Sequence, residues 1–322
     1  MKNYKFIDIA KKTIQAEIDS LKKLKNRFPK NFSQAVETIL NCKGKVVVTG
    51  VGKSGTIGAK ISSTLASVGT PSFFIDANSC SHGNLGMVDN KDCIIIISLS
   101  GISDELKDII QYANRRKITL IGIVSKKNSL LYKASDVKVL LPEVIEADPN
   151  KIVPTSSTII QLAIGDAIAV ATMKHKKFSK LDFKKFHPGG SLAIQLKTAE
   201  DLMIKGKKIP FINENIKMKK ALKIIENKKL GVLIAINKKK QTTGIVTDGD
   251  IKRSIRKNIN LHALNVKNIM TKKPICIDKN MLAAKALHIM NEKKITSLCV
   301  NNKTKKTVGL LHIHNILANG IK

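Results

Sequence analysis

The sequence predicts an α/β protein: a flavodoxin-like five-stranded parallel sheet followed by a second, α+β part built from two related copies. Three observations carry this. Between residues 43 and 190, short apolar runs with little alternation are separated by amphipathic stretches, as expected of parallel strands buried on both faces. The first run, Val46 to Thr49, breaks at Gly50, Gly52 and Gly55 and resumes at helical spacing through Ser67, which reads as strand, turn and helix. Beyond Leu196, Ala221-Leu222 to Gly244 and Ala286-Leu287 to Gly309 superimpose at an offset of 65 residues.

Residues 1–42 read as an N-terminal helical arm, with helices over Ile7–Lys25 and Phe32–Leu40 divided by Pro29. Ile7, Ala10, Ile14, Ile18, Leu21 and Leu24 keep a three-to-four spacing, so this face is expected to be covered by another helix or subunit. The arm is too short for a three-helix DNA-binding domain. Strands are expected at Val46–Thr49, Ser72–Ile75, Cys93–Ile97, Ile118–Val124 and Val137–Leu141. Ligands of such sheets bind beyond the carboxyl ends of the strands, at the switch in strand order. The loops after strands one and three, GVGKSG and SLSGISDE, should therefore face one pocket.

The first loop aims backbone N–H groups at an anion, and Lys53 adds a full positive charge. A Walker-type nucleotide loop needs Gly where Val47 stands and fails. A dinucleotide loop matches at Gly50, Gly52 and Gly55, with Asp76 at the distance of a ribose-binding acid, and would make the chain a dehydrogenase. A sugar-phosphate loop is the third reading. In the second loop, Ser98, Ser100 and Ser103 surround Gly101 ahead of a helix over Asp104–Arg116. They put hydroxyls and N–H groups at another helix start, although caps and turn formers need no ligand. Thr155, Ser156 and Ser157 open a further apolar helix through Ala171. Three hydroxyl-rich helix starts exceed what capping requires.

At 322 residues and 43% hydrophobic content, the chain can bury two cores. No run approaches the ~18–20 uninterrupted apolar residues of a membrane helix, and no apolar signal segment follows Met1–Phe6, so no membrane partner and a cytoplasmic location are expected. A net charge of +33 raises nucleic-acid binding, but only five of the 57 basic residues are arginine, the side chain favoured for bidentate reading. An A·T-rich coding bias accounts for lysines spread beside Ile and Asn without a specific nucleic-acid partner. Cys42, Cys80, Cys93, Cys276 and Cys299 are scattered, with no CxxC pair and an odd total. They argue against a disulfide framework or zinc site and read as buried reduced thiols.

GVGKSGTIG, SHGNLGMV (Ser81 to Val88), SLSGISDEL, PTSSTIIQLAIGDAIAVA and FHPGGSLA (Phe186 to Ala193) resemble the sugar-isomerase (SIS) domain of the bacterial arabinose-5-phosphate isomerase family, and the repeat resembles tandem CBS modules. The resemblance implies a SIS domain over 43–195 and CBS modules over 196–264 and 265–322. It implies an enzyme interconverting D-arabinose 5-phosphate and D-ribulose 5-phosphate through an enediol, toward the Kdo sugar of lipopolysaccharide, without a cofactor. Such a reaction needs a base, an acid and charge stabilisation. The family's catalytic positions fall on Lys53, Glu105, Glu146 and His187. Lys53 would stabilise enediolate or phosphate charge, and Glu146 or His187 would open the ring and transfer protons, in an order left open. Outside these motifs, Glu105 would read as a dipole-favoured carboxylate at a helix start and Glu146 as a solvated loop carboxylate.

Ser54, His82, Ser98, Ser100, Ser103, Thr155, Ser156 and Ser157 are the implied substrate contacts. In the first CBS copy Asp248 and Asp250 stand where such modules hold a nucleotide ribose, which makes a nucleotide or sugar nucleotide the expected effector; the second copy has Ile313 and Asn315 there. The family implies a homotetramer. Asp76 replaces a family histidine linked to metal contact, so no metal is expected. Ile102, Thr56 and Asp148–Lys151 also depart from the family pattern. A different sugar phosphate, or a SIS-type sugar-phosphate sensor, is the alternative.

Overall fold

Each apolar run of the first half becomes a strand of one parallel sheet. The computed structural model describes residues 6–187, 189–257, 260–304 and 306–321, without the side chains of 190–192. The chain divides into two units, Met1–Phe186 and His187–Lys322. The first holds α1 (Phe6–Asn26), α2 (Phe32–Asn41), β1 (Val46–Gly50), α3 (Gly52–Ser67), β2 (Ser72–Asp76), α4 (Ala77–Cys80), β3 (Cys93–Ile97), α5 (Lys107–Arg116), β4 (Thr119–Val124), α6 (Leu130–Ala134), β5 (Val137–Leu140), α7 (Ser156–His175) and α8 (Lys180–Phe186). The order β2-β1-β3-β4-β5, parallel throughout, is the flavodoxin-like order expected.

The weak alternation has a direct cause. Val46, Val48, Ile95 and Ile97 enter one core with α1, α2, α3 and α7, whereas Val47, Ile94 and Ile96 enter the other with α5 and α6. Ile94 to Ile97 are all fully buried, and each contributes about 2 kcal/mol of burial free energy. The helix expected from Asp104 starts only at Lys107; Asp104–Leu106 forms a separate 3-10 turn.

In α1, Leu24 is buried and Leu21 packs beside it, but Ile7, Ile14 and Ile18 are 71%, 55% and 40% exposed. Among the described residues, the covering expected for this face is thus supplied at its C-terminal end, by the core that takes in Leu21 and Leu24. Among the described residues, one helix, α7, is long and apolar enough to cross a membrane, at 20 residues and mean hydropathy 1.4. Half of it is buried, and it packs against α1, α2 and α3 as a core helix.

The second unit contains α9 (Gly190–Gln195), α10 (Ala199–Leu202), β6 (Ile204–Lys205), β7 (Phe211–Asn213), α11 (Met218–Lys228), β8 (Val232–Ile236), β9 (Thr242–Thr247), α12 (Asp248–Arg256), α13 (Val266–Ile269), β10 (Thr271–Lys272), β11 (Cys276–Asp278), α14 (Ala283–Lys293), β12 (Ser297–Asn301), β13 (Thr307–His312) and α15 (Ile313–Leu317). They form two four-stranded sheets, β10-β9-β8-β7 and β11-β12-β13-β6. Each sheet takes its edge strand from the other copy: β6 pairs with β13 and β10 with β9. The methionines that start the copies sit accordingly. Met203 packs on Gly309 and Met270 on Gly244 so closely that a Cβ at either glycine would collide with the thioether sulfur. Thr242 and Thr307, equivalent residues of the repeat, hydrogen-bond to each other at 2.9 Å. Ile234, Ile245, Cys299 and Leu310 from both sheets share one core.

Candidate active site

The carboxyl ends of β2, β1 and β3 are level, because Gly50 is in register with both Asp76 and Ile97. Three loops therefore leave the sheet side by side. The β1 turn is tight: a Cβ at Gly50 would lie 2.8 Å from the Ile97 carbonyl oxygen, and one at Gly55 would lie 2.6 Å from the Gly50 carbonyl oxygen. Gly52 has φ +56° and nothing near its missing side chain. Only glycines let α3 begin this close to the strand ends. Its first turn carries N–H groups without intrahelical acceptors, with Lys53 exposed and Ser54 half-buried.

The β3 loop is anchored from below. The Ser98 hydroxyl, 5% exposed, accepts the Gly101 N–H at 3.0 Å, and the Gly101 carbonyl accepts the Leu131 N–H. Gly101 has φ +68°, and a Cβ there would collide with the Ser129 hydroxyl. Ser98 is thus a loop-building residue in the structure. Ser100 and Ser103 are half-buried above it, and Ser103 makes no side-chain cap. Glu105 is exposed on the 3-10 turn.

After β2, Asp76 caps α4 by accepting from the Asn78 N–H at 3.2 Å and the Asn78 side chain at 3.1 Å. His82 is exposed in the next turn. This loop is tied to the β3 side through Ser81, whose hydroxyl donates to Asp108 at 2.5 Å. A cavity of about 600 Å³ between them is lined by Ser81, Gly83 and Asp108.

A fourth segment reaches the same edge from far along the chain. Lys60 pairs with Asp166, and the Lys176 ammonium donates to the Thr70 hydroxyl at 3.0 Å; both pairs are separated by 106 residues. Two contacts with one offset mean that α7 runs parallel to α3. The N-termini of α3 and α7 therefore point toward the same edge of the sheet. Glu146 lies at the α7 end. Its Oε2 accepts from the Thr155 N–H at 2.8 Å, the Thr155 hydroxyl at 3.2 Å and the Ser157 N–H at 3.2 Å. Burial pushes its carboxyl up, but hydrogen bonds from Ser157 and Thr155 outweigh this and hold it below the usual range, as an anion at a helix start.

Asp148 shapes the preceding turn by accepting from the N–H groups of Asn150, Ile152 and Val153 at 2.7–2.9 Å. The departure from the family pattern at 148–151 thus has a structural role. Thr155 is engaged by Glu146 and by the Ala147 N–H, at 2.9 Å from the latter. Ser156 and Ser157 are 0% and 2% exposed, and among the described residues the Ser156 hydroxyl has no partner. These two hydroxyls lie beneath the edge, not on it.

Lys53, Ser54, Ser100, Ser103, Glu105 and Glu146 therefore belong to one edge of the first unit, with His82 on the adjoining loop. His187 belongs to the second unit, where it is half-buried, and Pro188 of its motif lies outside the described residues. Among the described residues, no group of three His, Cys, Asp or Glu side chains is placed to hold a metal ion.

Comparison with known proteins bears directly on this edge. The chain is 38% identical over 317 residues to the arabinose 5-phosphate isomerase KdsD of Yersinia pestis, covering 98% of this chain and 96% of that one. It belongs to the arabinose 5-phosphate isomerase family. The enzyme of that name from Pseudomonas aeruginosa is 37% identical over 320 residues, covering 99% and 98%. The SIS domain model matches residues 39–171, and the CBS domain model matches 199–257 and 266–321. Among solved structures, Escherichia coli CFT073 c3406 in complex with arabinose 5-phosphate is similar to this chain at 35% identity and TM-score 0.57, covering 58% of this chain and all of that one. Membership in this family removes the dinucleotide reading of the β1 turn, and Asp76, engaged as a cap, is no ribose acid.

In the second unit, the two aspartates of α12 differ. Asp250 is 5% exposed and accepts from the Thr247 N–H at 2.8 Å, the Thr247 hydroxyl at 2.7 Å and the Thr271 hydroxyl at 2.9 Å, besides pairing with Arg253. Burial pushes its carboxyl up, but these partners outweigh it and lower the value. Asp248 is exposed beside Gly231 and is the one of the pair presented to solvent. The parallel course of α3 and α7, and the capture of Asp250, were missed in the sequence. The first has no local signal, whereas Thr247 followed three residues later by Asp250 is readable as a capping box.

Proposed function

We propose that this chain is an aldose-ketose isomerase that interconverts D-arabinose 5-phosphate and D-ribulose 5-phosphate. What supports the reading is that the Lys53 turn and the Glu146-capped start of α7 point toward one edge of the sheet, in a chain alike over nearly its whole length to arabinose 5-phosphate isomerases. The chemistry moves one proton between C1 and C2 through an enediol and another between the two oxygens. Lys53, Ser54 and the α3 N-terminus provide positive potential for phosphate or enediolate oxygens. Ser100, Ser103 and His82 contribute hydrogen bonds to the sugar phosphate, and Ser98, Thr155, Ser156 and Ser157 support the loops beneath it.

Glu146, held ionised by its hydrogen bonds, suits a proton acceptor more than a donor. Its Oε2 accepts from the Thr155 and Ser157 N–H groups and the Thr155 hydroxyl, and we assign the other oxygen to the substrate. His187 supplies the complementary acid, and Glu105 completes the set. The product serves Kdo and lipopolysaccharide synthesis in the cytoplasm, with no redox cofactor required. Ile102, Ile145, Ile152 and Val153 around the edge are 53–75% exposed, and the apolar face of α1 is exposed at Ile7, Ile14 and Ile18. Surfaces of this kind support assembly, and a homotetramer is our reading. A nucleotide or sugar nucleotide at Asp248 regulates the enzyme through the tandem modules.

The test is a coupled assay of wild type, Lys53→Ala and Glu146→Gln on ribulose 5-phosphate and a panel of pentose and heptose phosphates. Conversion in D₂O should place deuterium on the product carbon that receives the proton. Binding of ribulose 5-phosphate without conversion would replace the enzyme reading with that of a sugar-phosphate sensor. Light scattering reports the oligomer, and unchanged melting temperature across a nucleotide panel would remove the effector.

A further inference from the structure

Two cysteines expected to be inert buried thiols meet at the amino-terminal edge of the first sheet, at the opposite end of β1 from Lys53. Cys42 follows α2, and Cys93 begins β3. The Cys42 sulfur lies 3.5 Å from the Lys45 carbonyl oxygen and 3.4 Å from that of Lys91. The same Lys45 carbonyl accepts the Cys93 N–H at 3.1 Å. Cys42 packs against the core that contains Cys93, and both line a cavity of about 550 Å³ with Lys43, Lys91 and Asp92. Their burial differs: Cys93 is 2% exposed, whereas Cys42 is half-buried and reachable from the cavity.

A hydrogen bond from Cys93 holds the Cys42 thiol down to about 6, against burial. The Cys93 thiol, beside that sulfur and buried, is pushed well up. The asymmetry sorts the two sulfurs into roles, because the thiolate is the nucleophile.

We propose that Cys42 and Cys93 are an attacking and a resolving thiol, which a low-molecular-weight disulfide converts into an intrachain disulfide. The Cys42 thiolate attacks one sulfur of RSSR; the RS–SR bond breaks, a Cys42–SR mixed disulfide forms and RS⁻ leaves. The Cys93 sulfur then attacks the Cys42 sulfur, breaks the mixed disulfide and expels the second RS⁻. The proton from Cys93 goes to that thiolate, and the first RS⁻ takes from solvent the proton Cys42 gave up on ionising. Two protein thiols are oxidised and RSSR is reduced to two RSH.

Among the remaining cysteines, Cys80 provides the contrast. Cys80 is buried alone, and burial pushes its thiol up to about 11, so it should not react in the folded chain. Cys276 and Cys299 are register partners on β11 and β12 and share the asymmetry, a hydrogen bond from Cys299 holding the Cys276 thiol down to about 7 and the buried Cys299 thiol being pushed up, so a second disulfide is expected there and bond assignment requires peptide mapping.

The test treats the full chain with oxidised glutathione at neutral pH, traps free thiols with N-ethylmaleimide and digests it with trypsin. Peptides Asn31–Lys43 and Asp92–Lys107 should appear joined. In Cys93→Ser, Asn31–Lys43 should instead accumulate as the glutathione mixed disulfide. In Cys42→Ser, Cys93 should stay a thiol, at least tenfold slower to oxidise than in wild type. The proposal is overturned if wild type yields Asn31–Lys43 only alkylated or only glutathionylated. It is also overturned if Cys93 oxidises as fast in Cys42→Ser, which remains decisive should Cys93→Ser not fold.

Discussion

Glu105 in the first unit and Asp250 in the second both follow a strand, close to the start of a helix, and both were expected to face a ligand. Glu105 stands exposed on its 3-10 turn, while Asp250 is 5% exposed and enclosed by Thr247, Thr271 and Arg253. The same local chemistry has produced a presented carboxylate in one place and a structural one in the other. What separates them is tertiary: Thr271 arrives on β10, the edge strand exchanged between the two copies. Asn315, at the repeat position of Asp250, plays the structural role in neutral form by donating to the Leu202 carbonyl at 3.0 Å. A position presented to solvent should affect rate, and an enclosed one should affect stability.

The largest effect that sharpens this contrast is expected for Lys53→Ala. It should lower kcat/KM for ribulose 5-phosphate about 10²- to 10³-fold, or ~3–4 kcal/mol, and leave the melting temperature nearly unchanged, since Lys53 is exposed. A matching loss of melting temperature would mean that Lys53 is structural after all. Next comes Asp250→Ala. Removing a buried carboxylate and leaving its donors unpaired should cost about 2–4 kcal/mol in denaturant unfolding, with activity retained at temperatures where the protein is folded. Asn315→Ala removes one neutral hydrogen bond and should cost about 1 kcal/mol. Equal costs at the two positions would break the comparison between copies.

The smallest effect is the pH dependence of Glu146, which belongs to both classes. Its folded-state value lies below the ordinary carboxylate range because the hydrogen bonds from Ser157 and Thr155 outweigh burial. A depressed value stabilises the folded state fully above the unfolded pKa of about 4.3, and that contribution is lost as pH falls through the folded value. The stability gap between wild type and Glu146→Gln, measured by urea unfolding, should be present at pH 7 and narrow below about pH 4. A gap that widens in acid would show that the carboxylate is not held ionised.

Much of the first unit was legible because its signals are local. Val46, Cys93 and Val137 were expected to start strands and do so, since runs such as Ile94–Ile97 can only lie buried between two helical layers. The glycines at 50, 52 and 55 marked a close turn, and the 2.6–2.8 Å that a Cβ at Gly55 or Gly50 would leave to backbone oxygens explains why. Ser98, Ser156 and Ser157 looked like Ser100 and Ser103 in sequence, but they are buried. Hydroxyl side chains carry no mark that distinguishes a loop support from a ligand contact.

The sequence by itself determined the strand runs, the β1 turn and the two-copy repeat, because hydrophobic period and glycine placement act over a few residues. Only the tertiary structure decided that α7 lies parallel to α3, that β6 and β10 exchange between copies, and that Cys42 meets Cys93. Each of these joins segments far apart in the chain, where the partner is selected by shape and burial and not by any neighbouring residue.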